Sequence, residues 1–294
     1  IVNTAVGTGA LAANTTGGSN TAVGQDALVA NTTGDNNTAV GRLTLDANTT
    51  GAQNTALGTL ALGASTTGDR NVAVGYATLD ANTTASDNTA IGTAALGVNT
   101  TGDRNVAIGN YSLDANTVGD RNVAVGYAAL TTYNPSTNED SYNTAIGYSA
   151  LYENTTGNFN TAVGGLSLDA NTTGSENTAI GKSAMTDNTT GGHNVAVGFE
   201  AAGANTTGDY NVAVGRQAFD ANTTGDYNTA LGTSALGSNT TASENVAVGY
   251  AAGALNTTGA SNVAIGYEAF DSNTTGSRNT AVGSFALDAN TTAN

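Results

Sequence analysis

The chain of 294 residues contains no cysteine and no tryptophan, and it has a single histidine and a single proline. The lack of cysteine excludes a disulfide framework and any cysteine-ligated metal. His193 falls at a variable turn position, so we interpret it as a surface residue and expect no transition-metal site and no cofactor. No apolar run approaches the length of a membrane-spanning helix, so the sequence predicts no membrane span.

Positive charge is also scarce. Seven basic residues stand against 23 acidic ones, which gives a formal net charge of −16. Proteins that bind nucleic acid present a basic surface to the phosphates, so a nucleic-acid partner is not expected. Glycine, at 39 residues, and an aromatic content of 5% would suggest disorder if the order of the residues were ignored.

The order of the residues is strongly periodic. The motif Asn-(Thr/Val)-Ala-(Val/Ile/Leu)-Gly first occurs at residues 3–7 and last at residues 279–283. Its first asparagines lie at 3, 20, 37, 54, 71, 88, 105, 122, 143, 160, 177, 194, 211, 228, 245, 262 and 279. The period is 17 residues, except for one step of 21 between Asn122 and Asn143. A fixed short period is typical of a repeat array, in which each repeat is one structural unit.

We number each repeat from its first asparagine, as positions 1 to 17. Glycine, asparagine and threonine doublets leave no helical apolar stripe, whereas the β-branched residues at positions 2 and 4 favour a short strand. Each repeat is therefore predicted to form one coil of a parallel β-solenoid. The sequence predicts an all-β fold of seventeen 17-residue coils, which form a single continuous array over residues 1–294. The four extra residues form an insertion loop within residues 131–142, expected to bulge from one edge.

Stacking of coils brings equivalent side chains into ladders. Positions 2 and 4 point to one face of a strand and position 3 to the other, and we expect position 4 to line the interior opposite position 9. The predicted core ladder comprises Val6, Val23, Val40, Leu11, Leu28 and Leu45. The asparagines at positions 1 and 12 predict two further ladders whose amides bond to neighbouring coils.

Position 3 is alanine in every repeat, although the neighbouring positions vary. A strand that is restricted on both faces is usually buried on both, so the sequence predicts a tight contact between identical chains through this face, in a three-fold bundle. The alternative is an internal corner that is too thin for a residue larger than alanine. The predicted interface residues are Ala5, Ala22, Ala39, Ala56 and Ala73.

Residues 71–77 (Asn-Val-Ala-Val-Gly-Tyr-Ala) and residues 105–109 and 262–266 (Asn-Val-Ala-Ile-Gly) resemble the head repeats of trimeric autotransporter adhesins. Similar repeats occur in bacteriophage tail fibres. The resemblance implies a left-handed β-roll, association as a homotrimer and a location outside the cell, on a cell surface or in a virion fibre. The period of 17 is longer than that family's head repeat, and no neck, stalk or anchor sequence is recognisable.

No enzymatic constellation is found, so we expect no catalytic activity. Acidic residues recur at positions 10 and 16 without the alternation of a calcium-binding loop. Asn-Thr-Thr recurs at position 12 and matches the N-glycosylation acceptor pattern, although a structural asparagine ladder explains it equally. Rows of threonine are also a feature of ice-binding solenoids, but valine interrupts the row at position 2.

Aromatic residues at position 6 suggest a contact surface. Tyr127, Tyr148, Tyr250 and Tyr267 form two pairs on consecutive coils, which could stack on surface glycans or dock on a host receptor. No atypical capping repeat is found, which predicts either an excerpt of a longer fibre or an end-to-end filament. The sequence therefore predicts an extracellular structural fibre or adhesin shaft, and alternatively a receptor-binding tail fibre or an ice-binding solenoid.

Overall fold

A computed structural model describes residues 2–138 and 140–294. Its regular structure is all-β, with seventeen parallel strands, one in each repeat, that form a β-solenoid. The predicted fold class is therefore confirmed, whereas left-handedness stays a prediction. The contacts divide the chain into two compact units, Ile1–Ala145 and Ile146–Asn294, and each contains a run of stacked coils.

Each strand is three residues long and covers positions 2 to 4 of its repeat. The strands are β1 Thr4–Val6, β2 Thr21–Val23, β3 Thr38–Val40, β4 Thr55–Leu57, β5 Val72–Val74, β6 Thr89–Ile91, β7 Val106–Ile108, β8 Val123–Val125, β9 Thr144–Ile146, β10 Thr161–Val163, β11 Thr178–Ile180, β12 Val195–Val197, β13 Val212–Val214, β14 Thr229–Leu231, β15 Val246–Val248, β16 Val263–Ile265 and β17 Thr280–Val282.

From β1 to β8 and from β10 to β17, consecutive strands pair in parallel with no shift in register, so each position stacks on the same position of the next coil. Val6 pairs with Val23, and Val23 with Val40, which confirms the predicted ladder of vertical neighbours. Backbone bonds also join the turns of neighbouring coils, since the Thr32 N–H donates to the Thr49 carbonyl at 2.9 Å. A period of 17 residues therefore satisfies the backbone in the loops as well as in the strands.

The prediction of which strand side faces the interior is wrong. Alanine at position 3 is fully buried within its own chain at Ala22, Ala39, Ala56 and Ala73, whereas Ala5 in the first coil is exposed. The branched residues at position 4 face outward: Val6 is 58% exposed, and Val23 and Val40 are half-buried. These alanines therefore belong to the core and form no interface with another chain.

The asparagine at position 1 explains this orientation. The Asn20 side-chain amide donates to the Gly34 carbonyl at 2.8 Å, and its backbone N–H donates to Asn3 Oδ1 at 2.8 Å. Position 1 must therefore point inward, and the alternation of an extended segment then places position 3 inward and positions 2 and 4 outward. At position 12, Asn31 Nδ2 donates to Asn14 Oδ1 at 2.9 Å, so both predicted asparagine ladders are confirmed.

Position 9 supplies the large core side chains, as predicted. Leu11, Leu28 and Leu45 are buried, although their φ angles of 54°, 52° and 50° lie in the left-handed region. A leucine in that region costs roughly 1–2 kcal/mol. Burial of a leucine side chain contributes about 1.5–3 kcal/mol, and the Leu28 N–H also donates to the Thr44 carbonyl at 3.1 Å. The buried side chain thus offsets the backbone strain.

Glycine at position 5 is required by the spacing of the coils. At Gly164, φ is +136° and a Cβ would lie 2.4 Å from the carbonyl oxygen of Gly181 in the next coil. No side chain fits between two coils at that distance. The contrast with Gly165 is direct, because the nearest atom to a Cβ there, the Tyr148 oxygen, lies at 4.0 Å.

The insertion starts in the core and not as a bulge at its edge. Tyr133 takes the place of the position-12 asparagine and is fully buried, and Pro135 is buried beside it. A Cβ on Gly119 would lie 2.8 Å from Tyr133 Cε1 and 3.0 Å from Pro135 Cγ, so both rings pack on that glycine. Asn134, which lies between the two rings, is exposed, and so are residues 136–138.

Candidate association surface

Four positions of each repeat form one outward surface. Positions 1 and 3 point inward, so positions 17, 2, 4 and 6 alternate with them and point outward across the strand. We name the surface formed by these four positions the strand face. At one level of β7, for example, it presents Arg104, Val106, Ile108 and Asn110 side by side.

The middle of the strand face is apolar on every coil. Position 4 is valine, isoleucine or leucine throughout, and position 2 is threonine or valine. Ile108 remains 37% exposed and Leu231 45% exposed. Isolated exposed apolar residues are normal, but a contiguous apolar strip with no charge at its centre is typical of an interaction site.

The two edges of the strand face carry all the basic residues of the chain. Six are arginines and only one is a lysine, and each lies at position 6 or position 17: Arg42, Arg70, Arg104, Arg121, Lys182, Arg216 and Arg278. Only three of the 23 acidic residues share this face, namely Asp87, Glu176 and Glu244. The strand face is thus locally basic in a strongly acidic protein.

Two of the four position-17 arginines form ion pairs within the chain. At position 17, Arg70 binds Asp87 with both its Nε, at 2.6 Å, and its Nη2, at 3.0 Å, and Arg121 pairs with Asp140. The hydrogen bonds from Arg70 lower the pKa of the Asp87 carboxyl below its ordinary value. At position 6, Lys182 and Arg216 lie 5.7 and 5.9 Å from the centre of the Phe199 ring. No described carboxylate pairs with a position-6 cation.

Aromatic rings form a column along position 17 of residues 146–294. The rings of His193 and Tyr210 stack with centroids 4.6 Å apart, and those of Tyr210 and Tyr227 stack at 5.1 Å. Glu176 closes one end, because its Oε2 lies 3.0 Å from His193 Nδ1. Since each ring covers the face of its neighbour, the column presents ring edges and hydroxyl groups to its surroundings.

The acidic residues at position 10 lie outside the strand face and are half-buried. Burial raises the pKa of Asp46, Asp80, Asp114, Asp169 and Asp220 above the ordinary value. From residue 46 to residue 114 this position alternates between aspartate and glycine. A Cβ on Gly97 would lie 2.8 Å from Asp114 Oδ1, so the carboxylate occupies the space that a side chain would fill. The alternation also keeps like charges two coils apart.

The four tyrosines predicted as surface contacts are all exposed on the strand face at position 6. Tyr250 and Tyr267 stack at 5.2 Å, as their spacing predicts. The ring of Tyr127 meets the ring of Tyr111 edge-on at 6.1 Å. Tyr148 belongs to the other compact unit. Binding of glycans or a receptor by these rings stays a prediction.

Two sequence expectations concern ligands and modifications. The Asn-Thr-Thr asparagines are buried, and their amides are bonded within the ladder, as at Asn48, where Nδ2 lies 2.8 Å from Asn31 Oδ1. A folded chain does not offer these amides to a glycosyltransferase. Among the described residues, no three histidines, cysteines or acidic residues are grouped as a metal site, and no helix could cross a bilayer.

Sequence reasoning missed the column of His193, Tyr210 and Tyr227. The sequence does contain a signal for it, because these three aromatic residues are spaced by one period of 17. A scan of the sequence against protein-family models gave no match, and a search of curated protein sequences also gave none. The function must therefore be argued from the strand face itself.

Proposed function

We propose that this protein is a non-enzymatic structural module of an extracellular fibre or adhesin shaft, in which copies of the chain associate through the strand face. The observation that carries the proposal is the composition of that face. Protein interfaces are enriched in aromatic residues and arginine and depleted in lysine and acidic residues, around an apolar centre. The strand face has this composition, whereas the rest of the coil is acidic.

The size of the face supports the proposal. Each coil adds about 4.8 Å of height to a strip roughly 15 Å wide, or about 70 Å². About a dozen coils therefore supply the roughly 800 Å² that one partner contributes to a stable interface. The seventeen repeats carry more than this area when the strips of the two compact units are added. The resemblance to adhesin head repeats and tail fibres is the reason for placing that complex outside the cell.

A charge placed in the middle of the strip tests the proposal. Ile108→Asp should raise the dissociation constant of the complex at least tenfold, because it buries an unpaired carboxylate in the interface. Thr101→Asp is the matched control, since Thr101 is exposed at position 14, outside the strand face. Light scattering after size exclusion gives the mass of each variant, and circular dichroism its folding. A native chain that stays monomeric at all concentrations contradicts the proposal.

Ice binding is a second candidate, and one feature favours it. Position 14 holds an exposed threonine on every coil of residues 146–294, so that Thr190, Thr207 and Thr224 and their equivalents form an uninterrupted row. Thermal hysteresis of the native chain tests this candidate. Activity that Thr207→Lys abolishes and Ile108→Asp leaves intact would support ice binding through position 14 and would count against a purely structural role.

A further inference from the structure

This inference rests on the proposed association through the strand face. We infer that a second copy lies parallel to the first at the same height. The position-16/17 edge of the second copy lies against the position-6 edge of the first. The occupant of the position-6 edge is thus another copy of this chain. The contact is heterologous, because two different edges meet, and it closes into a ring when the rotation between copies allows.

The unpaired cations of position 6 carry this inference. Arg42, Lys182 and Arg216 have no carboxylate partner among the described residues, although the protein has more than three acidic residues for every basic one. At position 17, Arg70 and Arg121 are paired with Asp87 and Asp140, whereas Arg104 and Arg278 form no ion pair among the described residues. All three cations of the position-6 edge are therefore available to carboxylates of another molecule.

The required carboxylates lie at matching levels of the other edge. The strand level that ends at Lys182 begins at Glu176, which is at position 17. At the levels of Arg216 and Arg42 the acidic residue lies one residue earlier, at position 16, and is Asp209 or Asp35. All three therefore gain an opposite charge when two copies stand parallel and level. No level places like charges at its two ends. The level of Phe199 places its ring opposite the ring of His193.

The carboxylates have capacity for a second partner. Asp209 Oδ1 accepts the Gly192 N–H at 2.7 Å, and Asp35 Oδ1 accepts the Gly18 N–H at 2.5 Å, which leaves the other oxygen of each group for a cation. Glu176 lies on the surface, with its side chain 56% exposed, beside His193. A carboxylate accepts up to about four hydrogen bonds, so an incoming lysine or arginine need not break the bonds within the chain.

Single cysteines test the geometry cleanly because the native chain has none. Within one chain, positions 176 and 182 are roughly 15 Å or more apart along an extended segment, well beyond the reach of a disulfide. We expect oxidation of a mixture of Glu176→Cys and Lys182→Cys chains to give a covalent dimer on a non-reducing gel. Each variant alone should stay unlinked, since the contact joins unlike edges.

The outcomes separate the two claims. If either single variant links to itself, or if the mixture does not link while the native chain sediments as an oligomer, the proposed geometry is wrong and the association through the strand face stands. If the native chain sediments as a monomer, both fail. Charge reversal gives an independent readout: Lys182→Glu and Glu176→Lys should each weaken association about twofold to tenfold, and the two together should restore it.

Discussion

At the scale of single residues, the asparagine ladder of position 12 is interrupted at Ser65 as well as at Tyr133. Ser65 replaces asparagine, and its Oγ and the Asn48 Oδ1 are both buried without a hydrogen-bond partner. On the next coil, Asn82 Nδ2 donates only to the Ala85 carbonyl, at 3.1 Å, whereas Asn99 Nδ2 reaches both Gly102 and Asn82. A buried polar atom without a partner costs about 1–3 kcal/mol.

Restoring the ladder should therefore stabilise the protein. Ser65→Asn is expected to raise the free energy of unfolding by about 1–2 kcal/mol, because its amide can donate to Asn48 and accept from Asn82. Urea unfolding followed by circular dichroism measures the change. The reverse substitution, Asn99→Ser, serves as the control and should lower stability by a similar amount. A less stable Ser65→Asn variant would mean that the ladder is not a source of stability.

Two adjacent glycines offer a test of the coil spacing. Gly164→Ala places a Cβ against the Gly181 backbone at a positive φ, and we expect a loss of about 3 kcal/mol or more. Gly165→Ala meets nothing closer than 4.0 Å and should be neutral or slightly stabilising, by up to about 1 kcal/mol. Thermal unfolding of the pair gives the comparison. Equal effects of the two changes would contradict the stacking described at position 5.

At the scale of the element, the orientation of the strand decides the chemistry of the surface. The period of 17, the strand positions, the position-9 leucines and both asparagine ladders could be predicted from the sequence. Alternation alone does not show which side of a strand faces inward. The larger apolar side chain of Val23 predicts that Val23, and not Ala22, lies in the core. The hydrogen bonds of Asn20 across the interior turn Ala22 inward and Val23 outward, and they leave room for only an alanine at position 3.

Other features of the coil leave little trace in the sequence. The left-handed backbone at Leu28 has no sequence signal, because leucine rarely adopts it and glycine or asparagine would be expected there. The packing of Tyr133 into the core was equally hidden, since a polar insertion with a proline is typical of an exposed loop. In both cases the tertiary packing of a large side chain outweighs the local preference.

The row of position-10 aspartates predicts how stability depends on pH. Burial raises the pKa of Asp80 and Asp114 above 3.8 in the folded chain, so folding takes up protons. The free energy of unfolding should therefore increase as the pH falls through the raised pKa values toward about 4, and this contribution is lost at neutral pH. Asp87 acts in the opposite direction, but only below 3.8, because Arg70 lowers its pKa.

Urea unfolding at neutral pH and near pH 4 measures this dependence. The double variant Asp80→Asn and Asp114→Asn should show a smaller increase on acidification, because two of the carboxyls that titrate are removed. The Asp87→Asn variant provides a control, as it should keep the increase above pH 4. A native chain that loses stability steadily from neutral pH to pH 4 would show that buried carboxyls do not govern this range.

At the scale of the whole molecule, charge and apolar surface are segregated by position in the repeat. The strand face holds the apolar strip, the arginines and most of the exposed aromatic rings that the structure describes, and the acidic residues concentrate at the other turn positions. A repeat array multiplies one such choice along its length. A small preference on each coil therefore adds up to an extended surface, through which we propose that copies of the chain associate.

The central claim is that position 3 lies in the core while position 4 is exposed until another copy covers it. The rates of thiol labelling of Ala107→Cys and Ile108→Cys, measured separately over a range of protein concentrations, test it most directly. We predict that the Ala107→Cys thiol is protected at every concentration, whereas the Ile108→Cys thiol reacts fast in dilute solution and slowly once the chains associate. Fast labelling at 107, or labelling at 108 that does not depend on concentration, would contradict the account.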